Sequence, residues 1–257
     1  MQQKQELKQF AKRLLRAINK PLGALGVEFT RKGANPMAYD RLQRIQKLGV
    51  SPKVIFDCGA YIGGWTAEVA TIFPNAQFVL FEPNTTVTAK TKATIATIKP
   101  TPILIEAAVG DTVGTGHLNV WNNAHTSDQG SSLLGHVQSE AQTKLATPLV
   151  TLDSIAAEKG LRPDLIKLDL QGFELPALRG ATDVLRTAEV VITEFGVGEA
   201  YLESTTPLQL IQFMQDFDFV LYDIVDLLYR PYDKALSSGD FFFVKRNSVL
   251  LKYKGYT

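Results

Sequence analysis

The stretch Val54-Ile55-Phe56-Asp57-Cys58-Gly59-Ala60-Tyr61-Ile62-Gly63-Gly64-Trp65-Thr66 decides the fold. It opens with a short apolar run, passes at once into glycines, and continues with helical spacing over Thr66–Phe73. A strand that runs through a glycine turn into a helix is the opening of a Rossmann-like α/β unit. Gly59 and Gly63 let the backbone turn tightly and approach a ligand closely. The spacing Asp-x-Gly-x-x-x-Gly departs from the Gly-x-Gly-x-x-Gly of dinucleotide sites.

Outward from this turn, strands and helices alternate. Further short apolar runs stand at Phe78–Phe81, Ile103–Ile105, Ile166–Leu168, Val190–Thr193, Phe219–Ile224 and Phe241–Val244. Helical patterns cover Tyr39–Leu48, Thr85–Ile98, Leu175–Leu185 and Leu208–Phe217. Continuous apolar runs separated by helices predict strands buried on both faces of a mostly parallel sheet. The chain closes strand, turn (Ser237-Ser238-Gly239), strand, which predicts an antiparallel C-terminal strand. The fold class is therefore α/β, Rossmann-like. Residues 110–150 break the alternation with Gly, Ser, Thr, Asn and His, and only His117–Val120 and Pro148–Leu152 look strand-like. They read as an insert near the strand ends, where inserts are usually functional.

Residues 1–38 read as an N-terminal helical extension and 39–257 as one domain. In the extension Leu7, Phe10, Leu14 and Ile18 share a face while lysines and arginines lie elsewhere. The stripe is expected to dock on the domain; a peripheral membrane contact through this basic helix is the alternative. A formal net charge of +1 over 257 residues gives no field that calls for nucleic acid. The single cysteine, Cys58, forms no internal disulfide. No apolar run is long enough to span a membrane, and the polar N-terminus shows no secretory signal. A cytoplasmic location is expected.

The chemistry-bearing residues fall after strands. Asp57 ends the first; a carboxylate there accepts a hydrogen bond from an ammonium group and repels a pyrophosphate. That favours the amino-acid end of S-adenosylmethionine over NAD. Glu82, in Phe81-Glu82-Pro83-Asn84, ends the second, where an acid can hold ribose hydroxyls. In Ile105-Glu106-Ala107-Ala108-Val109-Gly110-Asp111 the alanines leave room for a flat adenine, and Glu106 is placed to contact its amine. Asp169, in Ile166–Glu174, ends the fourth strand beside the first, where open α/β sheets bind ligands. Glu174 fits the first turn of a helix, where an acid favours the dipole. Glu194 ends the fifth strand on the same edge. Asp169 and Glu194 are suited to act as base, substrate ligands or ligands of Mg²⁺.

Taken with Ser131-Ser132-Leu133, Thr151-Leu152-Asp153-Ser154 and Leu178-Arg179-Gly180-Ala181, these motifs resemble the FkbM family of methyltransferases from about Lys53 to Lys245. The resemblance implies S-adenosylmethionine as methyl donor and O-methylation of sugars, glycolipids or secondary metabolites, so a small-molecule or glycan acceptor. It puts Asp57, Gly59, Tyr61 and Gly63 on the methionine and ribose side and Glu82 on the ribose; Asn84, Glu106 and Ala107 complete the expected cofactor set. Many members carry an acid where Gln171 stands, which bears on any metal. His117, His125 and His136 match no zinc spacing. His125 or His136 joins Asp169 and Glu194 as a candidate base, since O-methylation benefits from a group that removes the hydroxyl proton. Trp121–Ser127 in the insert offers an aromatic face and polar groups to an acceptor. The rival readings are an NAD-dependent oxidoreductase and a non-catalytic binding protein on the same fold.

Overall fold

The computed structural model describes residues 37–121, 131–135, 142–198 and 202–253. The N-terminal extension through residue 36, His125 and His136 lie outside them. In chain order the elements are α1 (Ala38–Lys47), β1 (Val54–Cys58), α2 (Gly64–Val69), β2 (Gln77–Phe81), α3 (Thr88–Ile95), β3 (Ile103–Ile105), β4 (Ala108–Val109), β5 (Gly114–Trp121), β6 (Gln142–Val150) and α4 (Leu152–Lys159). There follow β7 (Leu165–Leu168), α5 (Glu174–Arg179), α6 (Thr182–Thr187), β8 (Val190–Gly196), α7 (Pro207–Asp216), β9 (Phe219–Tyr229) and β10 (Leu236–Lys245). Among the described residues no helix is long and apolar enough to cross a membrane.

Seven strands form one sheet in the order β3-β2-β1-β7-β8-β10-β9. The first five run parallel, and β10 is antiparallel to both β8 and β9. This is the expected α/β sheet with its antiparallel C-terminal strand. Side chains alternate across each strand, and both faces are covered. Ile55, Phe78, Leu80, Leu165, Val190, Ile192 and Phe242 face one core, with Leu42 and Ile45 of α1 and Val69 of α2. Phe56, Cys58, Val79, Phe81, Ile166, Leu168, Val191 and Phe243 face the other, with α4 to α7. Burial on both faces is why the strands read as unbroken apolar runs.

Three local readings need correction. The hairpin turns at Arg230–Ala235, where Arg230 N donates to the Ala235 carbonyl and Asp233 accepts from Ala235 N. Ser237-Ser238-Gly239 lies inside β10, accommodated by register shifts against β9. The helix expected over Leu175–Leu185 is two helices, because Gly180 packs where a Cβ would stand 2.1 Å from the Gly110 carbonyl oxygen. The strand at Pro148 ends at Val150. Thr151 and Ser154 then form a capping box that starts α4, and Asp153 accepts from Asp183 N, Val184 N and Thr182 Oγ1 at the start of α6. That motif is structural. The insert is a second sheet, β4-β6-β5, whose described parts lie against the cleft.

Candidate active site

The carboxyl ends of β1, β2, β7 and β8 open on a cleft of about 440 Å³. Its walls include Gly59–Ile62, Phe81–Pro83, Ala107–Val109, Ser131–Leu133, Asp169–Gln171 and Glu194, with Trp65, Leu118, Lys167 and Phe173.

The β1 turn is built from backbone. Gly59 sits at φ +81°, and a Cβ there would stand 2.0 Å from the Asp169 carbonyl oxygen. Glycine alone permits both the conformation and the close approach. Gly59 N and Ala60 N donate to the Phe81 carbonyl, tying the turn to β2. Gly63, at φ +75°, caps α2 and does not line the cleft. Tyr61 is left-handed too, at φ 49°. Its N–H donates to Glu82 Oε2 at 2.6 Å, and its carbonyl accepts from Thr91 Oγ1 at 2.7 Å.

Glu82 is held at both oxygens, by Tyr61 N and by Asn84 N at 2.8 Å. It lines the cleft, and burial pushes its carboxyl up to about 7 despite these two donors. Asn84 turns inward. Its Oδ1 accepts from Thr86 N and Oγ1, so it caps its own turn and lies outside the cleft wall. Glu106 points to solvent and pairs with Lys92 Nζ at 3.0 Å, whereas Ala107 lines the cleft.

Asp57 stands behind the turn and not in the cleft wall. It is fully buried, and its Oδ2 accepts from Thr66 Oγ1 at 2.6 Å. Oδ1 has no hydrogen-bond partner among the described residues, and Lys167 Nζ stands 3.8 Å from it. Burial raises Asp57, against the pull of Lys167 and Thr66. The Cys58 thiol is likewise pushed up by burial, which makes it inert.

Across the cleft, Asp169 and Glu194 do converge. Gln171 Nε2 lies 2.9 Å from Asp169 Oδ1 and 2.9 Å from Glu194 Oε2, so its amide donates to both. Lys167 Nζ lies 3.1 Å from Asp169 Oδ2 and 5.7 Å from the Trp65 ring centroid. Burial would raise Asp169, but Lys167 together with the hydrogen bonds from Gln171 and Glu194 outweighs it and holds the carboxyl below its usual range. Burial and the Asp169 charge push Glu194 well up. Glu174 is buried, with its carboxyl pushed up to about 7 by burial; its Oε1 accepts from Leu170 N and Gly172 N and fixes the loop that carries Gln171. It does more than decorate a helix.

The donor set does not suit Mg²⁺. An amide N–H group occupies the space between the two carboxylates, where a divalent ion needs oxygen ligands. Among the described residues no group of three His, Cys, Asp or Glu is placed to hold a metal. Of the histidines, His117 lies exposed on β5 outside the cleft wall.

Lys167 is the residue that motif reading passed over. Its signal was there: a lysine inside the run Leu165–Leu168 of a strand buried on both faces must be paired. Ser132 is a second. Buried to 1% exposure, it donates to the Gln171 carbonyl at 2.9 Å, and Asn119 Nδ2 donates to the carbonyls of Leu133 and Leu134. Ser132 thus ties the described part of the insert to the Gln171 loop at the cleft.

The sheet order, the glycine turn and the acid at the end of β2 define the class, that of the class I S-adenosylmethionine-dependent methyltransferases. The chain belongs to the family of the methyltransferase FkbM domain, whose model matches residues 57–221, more than half of its length. No curated protein matches it significantly. Among solved structures it is similar to magnesium protoporphyrin IX methyltransferase from Synechocystis (10% identity, 80% of this chain and 76% of that one, TM-score 0.46). It is also similar to precorrin-6y C5,15-methyltransferase from Geobacter metallireducens (12%, 84% and 92%, TM-score 0.44). A S-adenosylmethionine-dependent methyltransferase from Agrobacterium tumefaciens is comparable (10%, 81% and 61%, TM-score 0.46).

Proposed function

We propose that this protein transfers a methyl group to a hydroxyl oxygen of a sugar, glycolipid or secondary metabolite. The observation that carries the reading is the Glu82 carboxylate. Two backbone N–H groups present it to the cleft beside the Gly59 turn, with Asp169 and Glu194 on the opposite wall. S-adenosylmethionine supplies an electrophilic methyl carbon on a sulfonium. Glu82 keeps lone pairs for the two ribose hydroxyls, and Phe81, Ala107 and Val109 offer a smooth apolar wall to the adenine. Asp57 holds the turn from behind through Thr66. Asp169, Gln171 and Glu194 form the polar edge that orients an acceptor hydroxyl, and positioning of that kind supplies much of the rate. Leu118, Leu133 and Phe173 exclude water.

The test is thermal melting with S-adenosylhomocysteine, which must raise the melting temperature in a concentration-dependent way. Glu82→Ala abolishes the rise. A wild-type protein that melts unchanged at millimolar ligand ends the reading. Transfer of labelled methyl from S-adenosylmethionine to a panel of sugars, phenols and amines then checks the atom methylated. Transfer to amines alone would refute O-methylation and leave the cofactor site intact.

A further inference from the structure

A row of ionisable side chains crosses the sheet at the cleft. Asp57 and Lys167 are register partners on β1 and β7, and Glu194 and Asp240 are register partners on β8 and β10. All four share strand parity with the α1 and α2 face of the sheet. Lys167 is the cation in this row. We propose that Lys167 is a positioning residue that commits Asp169 to standing charge and so makes Glu194 the base that takes the acceptor's proton.

The inference rests on the methyltransferase reading. Its geometric ground is the unequal treatment of the two carboxyls. Both oxygens of Asp169 are engaged, Oδ2 by the buried Lys167 ammonium at 3.1 Å and Oδ1 by the Gln171 amide at 2.9 Å. A proton can settle on Oδ2 only by breaking that ion pair. Among the described residues Glu194 has no cation of its own. The charged groups facing it are Asp169 beyond β7, Glu174 from α5 and Asp240 from β10, all carboxyls. Lys167 faces Asp169, Asp57 and Asp240, while Asp240 faces Asp169, Lys167, Asp226 and Glu174. One lysine therefore serves several acids from the Asp169 side, and a proton shared by the pair resides on Glu194. Environments that push two neighbouring carboxyls apart divide their roles. In the step this serves, the acceptor oxygen bonds to the methyl carbon as the carbon–sulfur electron pair stays with sulfur. Glu194 first releases its resting proton to solvent; the hydroxyl proton then passes to the ionised carboxylate, so one cation and one carboxylate become a neutral thioether and a neutral acid.

Carboxyl ¹³C NMR titration of the full chain, with and without S-adenosylhomocysteine, tests this directly. Asp169→Asn and Glu194→Gln assign the two resonances. Asp169 is expected to titrate below the ordinary aspartate range and Glu194 above the ordinary glutamate range. Lys167→Met moves the Asp169 curve up and narrows the separation, and Lys167→Arg restores it. A lysine that only supports the fold would lower the melting temperature and leave the two titrations where they were. That result, or Asp169 as the upper group in the wild type, overturns the proposal. Should Lys167→Met fail to fold, Glu194→Gln decides, because survival of the upper titration in it also overturns the proposal. Thermal shifts on the same samples separate this inference from its premise. A retained ligand shift with unseparated titrations removes only the role of Lys167. Separated titrations with no ligand shift remove the methyltransferase reading, and the role of Glu194 with it.

Discussion

The two ends of the central sheet treat polar groups in opposite ways. At the amino ends Asp164 Oδ2 accepts from Lys53 N at 2.7 Å and Val54 N at 3.0 Å, and Lys245 Nζ donates to the Phe217 carbonyl at 2.6 Å. At the carboxyl ends Asp57 Oδ1 and Asn84 Nδ2 are buried without a hydrogen-bond partner among the described residues. Burial there pushes Glu82, Glu174 and Asp240 up to about 7. The same strands form both ends, so strand packing does not cause the difference. Away from the cleft, Arg41 Nε and Asp223 Oδ2 are also buried without a hydrogen-bond partner among the described residues, but they belong to an ion pair between α1 and β9. The carboxyl ends differ in gathering several buried acids where a ligand will meet them.

The strongest way to break this comparison is at the Gly59 turn. Gly59→Ala puts a Cβ against the Asp169 carbonyl at a φ of +81°. It should cost on the order of 3 kcal/mol or more in urea unfolding and remove the S-adenosylhomocysteine shift. Gly180→Ala meets the Gly110 carbonyl at 2.1 Å and should destabilise similarly. Its contact lies outside the cleft, so the folded fraction should still bind ligand. Equal loss of binding in both would erase the distinction between the site and its support.

The charged edge makes its own prediction. Glu82 is raised from its ordinary 4.5 to about 7 in the folded state. The stability this contributes is fully present below about pH 4.5 and is lost as pH rises through about 7. Relative to Glu82→Gln, the wild type should lose roughly 2–3 kcal/mol between pH 4.5 and 8, read from urea midpoints. Ribose hydroxyls donate to the charged form, so the ligand-induced melting shift should grow over the same window. A shift that is flat with pH would show that Glu82 does not hold the ribose.

How far the sequence reveals this follows from what each residue depends on. The parallel strands are legible because burial on both faces leaves unbroken apolar runs such as Phe78–Phe81. Gly59 and Glu82 are legible because strand ends place them, whatever surrounds them. Glu106 and Asn84 mislead because a neighbour decides their direction: Lys92 draws one outward and Thr86 holds the other in a local turn. The break at Gly180 depends on Gly110, seventy residues away, so helical periodicity cannot show it. Ser237–Gly239 has the composition of a turn, yet pairing with Gly196 and Phe195 of β8 keeps it extended. The bridge of Gln171 between Asp169 and Glu194 joins two strand ends and a loop, and no single stretch of sequence contains it.

At the amino ends the effects are expected to be smaller and blind to ligand. Asp164→Ala removes the acceptor of two backbone N–H groups and should cost about 1–2 kcal/mol. The melting shift with S-adenosylhomocysteine should be unchanged. A lost shift would mean that the two ends are mechanically coupled.

The smallest effect isolates the cause. Arg246 Nε lies 2.9 Å from Asp218 Oδ1, about as close as Lys167 is to Asp169 at 3.1 Å. The side chain of Arg246 is 61% exposed, and that of Lys167 only 8%. Water screens the outer pair, so Arg246→Ala should cost less than about 0.5 kcal/mol. Even that should vanish at 1 M salt, where charges are screened over about 3 Å. The inner lysine has no such relief on its Asp57 side, because that carboxyl is fully buried, whereas Asp169 keeps access to water through the cleft. If Arg246→Ala proved as costly as Lys167→Met, distance and not burial would set the worth of these pairs. The contrast between the two ends of the sheet would then need another explanation.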